Sequence, residues 1–420
     1  MFNWLKKTVL PEKAPPKPEV AAIHGDDSIH PPAICESEAL KNQGNIHLNN
    51  GKLEDAAECY RQAIALNPRY AEAYSNLGYV FQAQGNLDEA VMLYHKAIEL
   101  NPNLLPAHQN LGLLLLSLGR YVEAWPHYEH RFDPRTKTRL CEIPKLPFPQ
   151  WRGESLIGKS LVIWPEQGFG DYIQFSRYAP LLRECGVSHL TFVCTQPLKA
   201  LLETVAGVDA VITELLPATP YDYWSFPSSL PLHFGTTVDT IPGTLPYLHA
   251  LQERVDRWHD RLPMGRLRVG LVWKGNADHT NDANRSLPDL STLTPLWSIP
   301  GITFVSLQKG QGEEEAKEPP TDQPISPLGS DIGDFADTAA IVALLDMVIC
   351  VDTSIAHLAG ALGKPCWVLL PHVGTDWRWL QEREDSPWYT SVRLFRQKEP
   401  GDWSQPVERI RQELMARIDS

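Results

Sequence analysis

The chain has 420 residues, of which 43% are hydrophobic, and this is enough for two or three domains with sizeable cores. Its formal net charge of −13 argues against a nucleic-acid partner, because a second polyanion would be repelled. No apolar run reaches the length of about 18 residues that a membrane span needs. The seven cysteines form no C-x-x-C pair, which suits a reducing compartment, so we expect a cytoplasmic protein.

The segment 1–36 is rich in proline and poor in apolar side chains. It contains no apolar stretch followed by a small-residue cleavage site, so the sequence predicts no secretory signal. We expect a flexible leader over 1–36.

A 34-residue period follows the leader. Its recurring residues are Gly44, Gly78 and Gly112; Tyr60, Tyr94 and Tyr128; and Asn67–Pro68 with Asn101–Pro102. This period and pattern are typical of tetratricopeptide repeats, in which each unit is a pair of helices, and they predict three repeats over 37–136. Such a stack commonly offers a concave surface to a peptide or protein. A purely structural or dimerising stack, and hence a homodimer, is the alternative.

Beyond a proline-rich linker over 137–157, short apolar runs alternate with helical patterns in two successive modules. The alternation predicts two doubly wound parallel sheets, one over 158–262 and one over 263–400. The segment 401–420 is expected to be a helix that crosses back to the first sheet.

The stretch 341–371 shows this alternation most clearly. Met347–Val351 has the length and apolar character of a buried strand, and Asp352 follows it directly. Ser354–Leu362 then has helical spacing, and Gly363–Lys364–Pro365 ends that helix. In parallel sheets ligands bind beyond the carboxyl ends of the strands, so Asp352 and the start of this helix are expected at a binding edge.

Asp352–Thr353, His357–Ala359 and Gly363–Pro365 together resemble the donor-site signature of the heptosyltransferase-like glycosyltransferases, the family 9 type. The resemblance implies the GT-B fold, in which two doubly wound domains face each other across a cleft. It also implies a nucleotide-diphosphate sugar as co-substrate, with transfer to a hydroxyl, without a metal or other cofactor and with inversion. Thr353, Ser354 and His357 would bind the donor, although a lone helical histidine is often only a packing residue.

A second part of the resemblance is the loop Gly168–Asp171, which follows the first strand of the first module. In the family the matching loop supplies a carboxylate near the acceptor hydroxyl, so Asp171 would be the general base. Gly168 and Gly170 would let the backbone approach a ligand, and Gln174 would line the cleft one turn later. The alternative for Asp171 is an ordinary helix N-cap.

Cations for a diphosphate are expected in the loop 269–287, where Lys274 and Arg285 are available. This loop lacks the Lys-Trp-Pro arrangement of the lipopolysaccharide heptosyltransferases, and a solvated surface loop is the alternative. Gln308 and Lys309 follow another strand and would contact the nucleoside, or form a plain turn. The tryptophan-rich run Asp376–Trp379 is expected to pack at a domain junction.

These features predict a glycosyltransferase that moves a sugar from a nucleotide-diphosphate donor to a hydroxyl, on a protein acceptor presented by the repeats. The repeat-then-transferase order also resembles the protein O-linked N-acetylglucosamine transferases, whose donor-site motif differs. Two alternatives stay open. One is a non-catalytic interaction or scaffold protein with a degenerate transferase domain, and the other is a nucleotide-sugar epimerase.

Overall fold

The computed structural model describes residues 31–133, 135, 143–166, 168–216, 219–319 and 325–419. The predicted leader lies outside these residues except for its end, which is helical, because the first helix begins at Pro31 rather than near Ser37. The chain forms two compact units, 1–139 and 140–420. None of the helices in the described ranges has both the length and the apolar character needed to cross a membrane.

The first unit consists of paired helices in the predicted 34-residue rhythm. The helices are α1 (Pro31–Asn49), α2 (Leu53–Leu66), α3 (Ala71–Ala83), α4 (Leu87–Leu100), α5 (Leu105–Ser117) and α6 (Tyr121–Tyr128). A side chain at Gly44 would come within 2.6 Å of the Tyr60 ring, and one at Gly78 within 3.1 Å of the Tyr94 ring. Gly44 and Gly78 therefore make room for Tyr60 and Tyr94, which are fully buried, whereas Gly112 lies against the backbone of Tyr128.

The second unit begins with a four-stranded parallel sheet in the order β3-β2-β1-β4. The strands are β1 (Ser160–Ile163), β2 (His189–Val193), β3 (Ala210–Ile212) and β4 (Tyr223–Ser225). The helices are α7 (Phe169–Phe175), α8 (Ala179–Glu184), α9 (Gln196–Leu202) and α10 (Leu230–His233). The end of the predicted linker joins this sheet, because Gln150 forms a parallel bridge with Trp224.

A six-stranded parallel sheet follows, in the order β10-β9-β8-β5-β6-β7. Its strands are β5 (Leu267–Val272), β6 (Ile302–Ser306), β7 (Ile325–Pro327), β8 (Met347–Val351), β9 (Cys366–Leu370) and β10 (Val392–Arg396). Its helices are α12 (Asp282–Arg285), α13 (Glu313–Lys317), α14 (Phe335–Leu344), α15 (Ser354–Ala361) and α16 (Ser404–Asp419). The strand order reverses between β5 and β8, which is where such sheets bind ligands. Repeats followed by two parallel sheets are the architecture that the sequence predicts.

Two elements differ from the expected domain boundaries. Helix α16 does not cross to the first sheet: its residues Val407, Ile410 and Leu414 are buried in the core of the second sheet. Helix α11 (Gln252–His259) falls within the predicted first domain but packs against α14 of the second. The sequence of an amphipathic helix shows that one side of it is buried, but it does not show which part of the protein that side packs against.

The carboxylate of Asp337 holds α11 against α14. Its Oδ1 accepts hydrogen bonds from Arg254 at 2.8 Å, Arg257 at 2.9 Å and the indole of Trp258 at 3.2 Å, and Oδ2 accepts from the backbone of Gly333 at 3.0 Å. Burial opposes ionisation, but these bonds and the arginine charge outweigh it and lower the pKa of Asp337 below its ordinary value.

We therefore expect Asp337→Asn to reduce the free energy of unfolding by about 1.5 kcal/mol at neutral pH, because a charge-assisted network becomes a neutral one. A lowered pKa in the folded state means that this stabilisation is present above the ordinary aspartate pKa of about 4 and is lost as the pH falls further. Urea unfolding at pH 7 measures the first effect, and repeating it at about pH 3, below the ordinary aspartate pKa, measures the second. Asp260→Asn, at a carboxylate that is 91% exposed, is the control. Equal losses in the two variants at pH 7 would contradict the assignment.

Candidate active site

The predicted base and the predicted donor helix meet where α7 packs on α15. Gly168 precedes α7 with φ +86°, a conformation that favours glycine, and Asp171 lies in the first turn of α7. A side chain at Gly170 would come within 2.7 Å of Cδ2 of His357 and 3.5 Å of Cα of Ser354. The strand-end loops of the two sheets are therefore in direct contact, which the two separate motifs could not establish.

Arg378 joins the two sides of this site. Its Nη1 donates to both oxygens of Asp376 at 3.0 Å, its Nε donates to Gln174 Oε1, and its Nη2 pairs with Asp171 Oδ1. The Arg378 side chain is only 7% exposed, whereas Asp171 is 30% exposed. The sequence places Arg378 at a packed junction but does not identify its contact with the predicted base. A buried guanidinium needs carboxylate partners. The position of Arg378 between two tryptophans was therefore the one sign in the sequence that it would bind carboxylates.

Gln174 is fully buried and lies beside the site rather than on an open cleft wall. Its Oε1 is occupied by Arg378, and its Nε2 is buried without a hydrogen-bond partner. We therefore regard Gln174 as a residue that positions Arg378.

His357 is buried, and its Nδ1 lies 3.0 Å from the Tyr389 hydroxyl. Its ring stacks on Trp379 with centroids 5.4 Å apart. Burial, together with the nearby charge of Arg378, lowers the pKa of His357 to about 3. The imidazole is therefore neutral at physiological pH and can contribute packing and hydrogen bonding, but no positive charge.

The start of α15 offers a hydroxyl and backbone donors. Thr353 caps the helix by accepting from the Ile355 N–H at 3.3 Å, and Ser354 is the first helical residue. Asp352 lies directly before them, and burial followed by the charge of Asp376 raises its pKa to about 6. A carboxyl group that is partly protonated near neutral pH repels an anionic ligand less than an ordinary aspartate does.

Arg285 lies near Asp352 and the start of α15, whereas Lys274 does not. Arg285 is close enough to Asp352 to oppose the rise in its pKa, its Nε lies 3.3 Å from Asp282 Oδ1, and its side chain is 14% exposed. Lys274 donates from Nζ to the carbonyl of Pro288 at 2.6 Å. It lines a cavity that Asp282 also lines, but to which none of Asp171, Asp352, Thr353, Ser354 and His357 contributes.

Gln308 holds a loop in place, and its amide has little left to offer a ligand. Its Oε1 accepts from the backbone N–H groups of Trp273 and Lys274, both at 3.0 Å, and its Nε2 donates to two backbone carbonyls, those of Lys274 and Gln311. Lys309 is exposed and donates to the carbonyl of Gly329 at 3.2 Å. The structure thus brings neither residue to the place where Asp171 meets the start of α15.

No group of three or more histidine, cysteine, aspartate or glutamate side chains in the described ranges could hold a metal ion. The polar groups that do meet are two carboxylates on Arg378, the cation Arg285 and the start of α15. A carboxylate on one side can remove a proton. The cationic and N–H groups on the other side can hold an anionic leaving group.

Comparison with known proteins identifies the first unit directly. Family models described as TPR repeat and tetratricopeptide repeat match residues 44–85, 71–104 and 93–125. The predicted tetratricopeptide repeats are thereby confirmed.

The longer similarity is to Protein FlbA of Caulobacter vibrioides, which is 31% identical over 318 residues. The matched region is 70% of this chain and 52% of FlbA, so the chain spans about half the length of that relative.

Two solved structures are similar to parts of the chain. The structure of MamA shares 32% identity over 23% of this chain and 56% of its own, with a TM-score of 0.22. A family 9 glycosyl transferase from Veillonella parvula shares 12% identity over 64% of this chain and 99% of its own, with a TM-score of 0.46.

Proposed function

We propose that this tetratricopeptide-repeat protein transfers a sugar from a nucleotide-diphosphate donor to a hydroxyl group of a protein that its repeats bind. The observation that carries the proposal is the meeting of Asp171 with the start of α15, where Gly170 lies against His357. Each group lies beyond the carboxyl end of a central strand of its own sheet. A carboxylate that can accept a proton thus faces a helix start that can bind an anion.

In this mechanism Asp171 accepts the proton of the acceptor hydroxyl while the bond between the sugar and the diphosphate breaks. Arg285, the Thr353 hydroxyl and the first N–H groups of α15 receive the charge that develops on the leaving diphosphate. Arg378 pairs with Asp171 in the structure, so the acceptor hydroxyl has to compete with Arg378 for the carboxylate. Inversion follows from a single displacement with Asp171 as the base.

The acceptor is proposed to be a protein because the repeats supply a surface for one. Asn45 Oδ1 accepts from Tyr60 at 2.7 Å and from Asn76 at 2.9 Å, so polar side chains of neighbouring repeats are linked across α1 and α3. A row of amides on successive helices can bind the backbone of an extended peptide.

The test is a thermal-shift screen of the full chain against ADP, GDP, UDP, dTDP and their sugar conjugates. We expect one nucleotide family to raise the unfolding midpoint, because a ligand that binds only the folded state stabilises it. Arg285→Ala should abolish the shift, whereas Arg261→Ala, at a surface arginine paired with Asp331, should keep it. Asp171→Asn should keep nucleotide binding and lose the transfer of labelled sugar to protein.

The competing function, a non-catalytic interaction protein, predicts the opposite result. In that case no nucleotide stabilises the chain at millimolar concentration, and Arg285→Ala behaves as the Arg261 control does.

A further inference from the structure

Two cavities adjoin each other near the start of α16, and residues that follow the carboxyl ends of β5, β9 and β10 line the first of them. One has a volume of about 390 Å³ and the other of about 530 Å³, and Pro288, Gly401 and Trp403 line both. We call the pair the Trp403 groove. The proposed transfer residues Asp171, Thr353 and His357 do not line it. The groove is therefore distinct from these three residues, and it adjoins Arg285 through Asp282.

The polar wall of the groove is held in place by its own hydrogen bonds. Asp282 Oδ1 accepts from Ser286 Oγ at 2.8 Å and from Arg285 Nε at 3.3 Å, and Ser286 Oγ in turn accepts from the Gly275 N–H at 2.8 Å. Asn284 donates from Nδ2 to Asn281 Oδ1 at 2.7 Å. These side chains are thus fixed before a ligand arrives, which lowers the entropy cost of binding one.

Gln397 adds an unsatisfied donor to the same cavity wall. Its Oε1 accepts from the His372 N–H at 3.1 Å and from the Gly401 N–H at 3.2 Å, which fixes the orientation of the amide. Its Nε2 is buried without a partner, and the residue is 5% exposed. A buried donor without an acceptor is costly, and a ligand oxygen in the cavity could satisfy it only if the amide turned toward the cavity, because Nε2 itself is covered by protein.

The charges in the groove argue against a phosphorylated ligand. Of the charged residues that line the two cavities, Lys274 is basic, whereas Asp282 and Glu408 are acidic. A diphosphate needs several cations or free N–H groups, and here one ammonium faces two carboxylates. The groove instead suits a neutral ligand that both donates and accepts hydrogen bonds.

We propose that the Trp403 groove binds a saccharide. A sugar hydroxyl donates to a carboxylate such as Asp282 and accepts from an amide or ammonium such as Asn284, Gln311 or Lys274. Trp403, Pro288 and Pro400 supply apolar surface for the C–H faces of the sugar rings. Two adjoining cavities that share Trp403 can hold consecutive sugar units of a glycan. The inference goes beyond the proposed transfer function and does not depend on it.

The test is binding of the full chain to a printed panel of neutral glycans, followed by saturation-transfer NMR with the best binder. We expect Gln311→Ala and Asn284→Ala each to weaken binding by about tenfold, the effect of one good hydrogen bond. Gln252→Ala and Asn276→Ala, the same changes outside the groove, should leave binding unchanged. A thermal melt of each variant shows whether the fold is intact.

Three results would overturn the proposal. The first is that no neutral glycan on the panel binds at millimolar concentration. The second is that a glycan binds but Gln311→Ala and Asn284→Ala bind it as the controls do. The third is that these variants lose a nucleotide-induced thermal shift, which would make the groove part of a nucleotide site. Glycan binding by Asp171→Asn separates this proposal from the transfer function, since that variant should keep the first and lose the second.

Discussion

Arg378→Ala is expected to lower the free energy of unfolding of the second unit by about 3 kcal/mol. The change removes a nearly buried guanidinium and leaves Asp376 without the two bonds, each 3.0 Å long, that compensate its charge. Burial opposes ionisation of Asp376, and the charge of Arg378 outweighs that effect and lowers its pKa. The loss should lie at the low end for buried pairs, because the two carboxylate partners are partly exposed, Asp376 by 36% and Asp171 by 30%.

Urea unfolding followed by tryptophan fluorescence measures this loss, because all of the 13 tryptophans except Trp4 and Trp125 lie in the second unit. Arg383→Ala is the matched control, since Arg383 pairs with Asp385 on the surface and its loss should cost less than about 1 kcal/mol. Equal losses in the two variants would show that Arg378 contributes no more than a surface arginine does.

Gly170→Val is expected to cost about 3 kcal/mol, because it overpacks the contact between α7 and α15. The first added carbon would lie 2.7 Å from the ring of His357. That ring cannot move away cheaply, since it is bonded to Tyr389 at 3.0 Å and stacked on Trp379. The helix start that carries Asp171 must shift instead.

The control for this substitution is Gly243→Val, where the nearest atom would lie 3.6 Å away and the position is exposed. The same unfolding measurement should find the control within about 0.5 kcal/mol of the wild-type chain. A Gly170 variant that is as stable as the control would mean that α7 and α15 are not in close contact.

Local sequence patterns predict much of this fold because their physical causes are local. Gly44 and Tyr60 recur because one makes room for the other within a single repeat. Buried strands such as Met347–Val351 are recognisable because parallel strands covered on both faces are apolar throughout. The Asp352–His357 motif likewise predicts a helix beginning directly after a strand, and α15 begins there.

The missed features depend on contacts between distant parts of the chain. Asp171 and Arg378 are 207 residues apart, and no local pattern links them. Lys274 and Arg285 occupy one loop, yet only Arg285 lies near Asp352, because Pro288 holds the first and Asp282 holds the second. Residue type predicts what a side chain can bind, whereas the folded backbone decides which ligand it can reach.

The position of α16 has a consequence for the order in which the protein can fold during synthesis. The strands of the four-stranded sheet are complete once residue 225 has left the ribosome, but one face of the six-stranded sheet is covered by Trp403, Val407, Ile410 and Leu414. A nascent chain that ends between β10 and α16 therefore carries all six strands with part of this apolar core exposed. This is the interval in which the growing chain is most prone to aggregate and most dependent on chaperones.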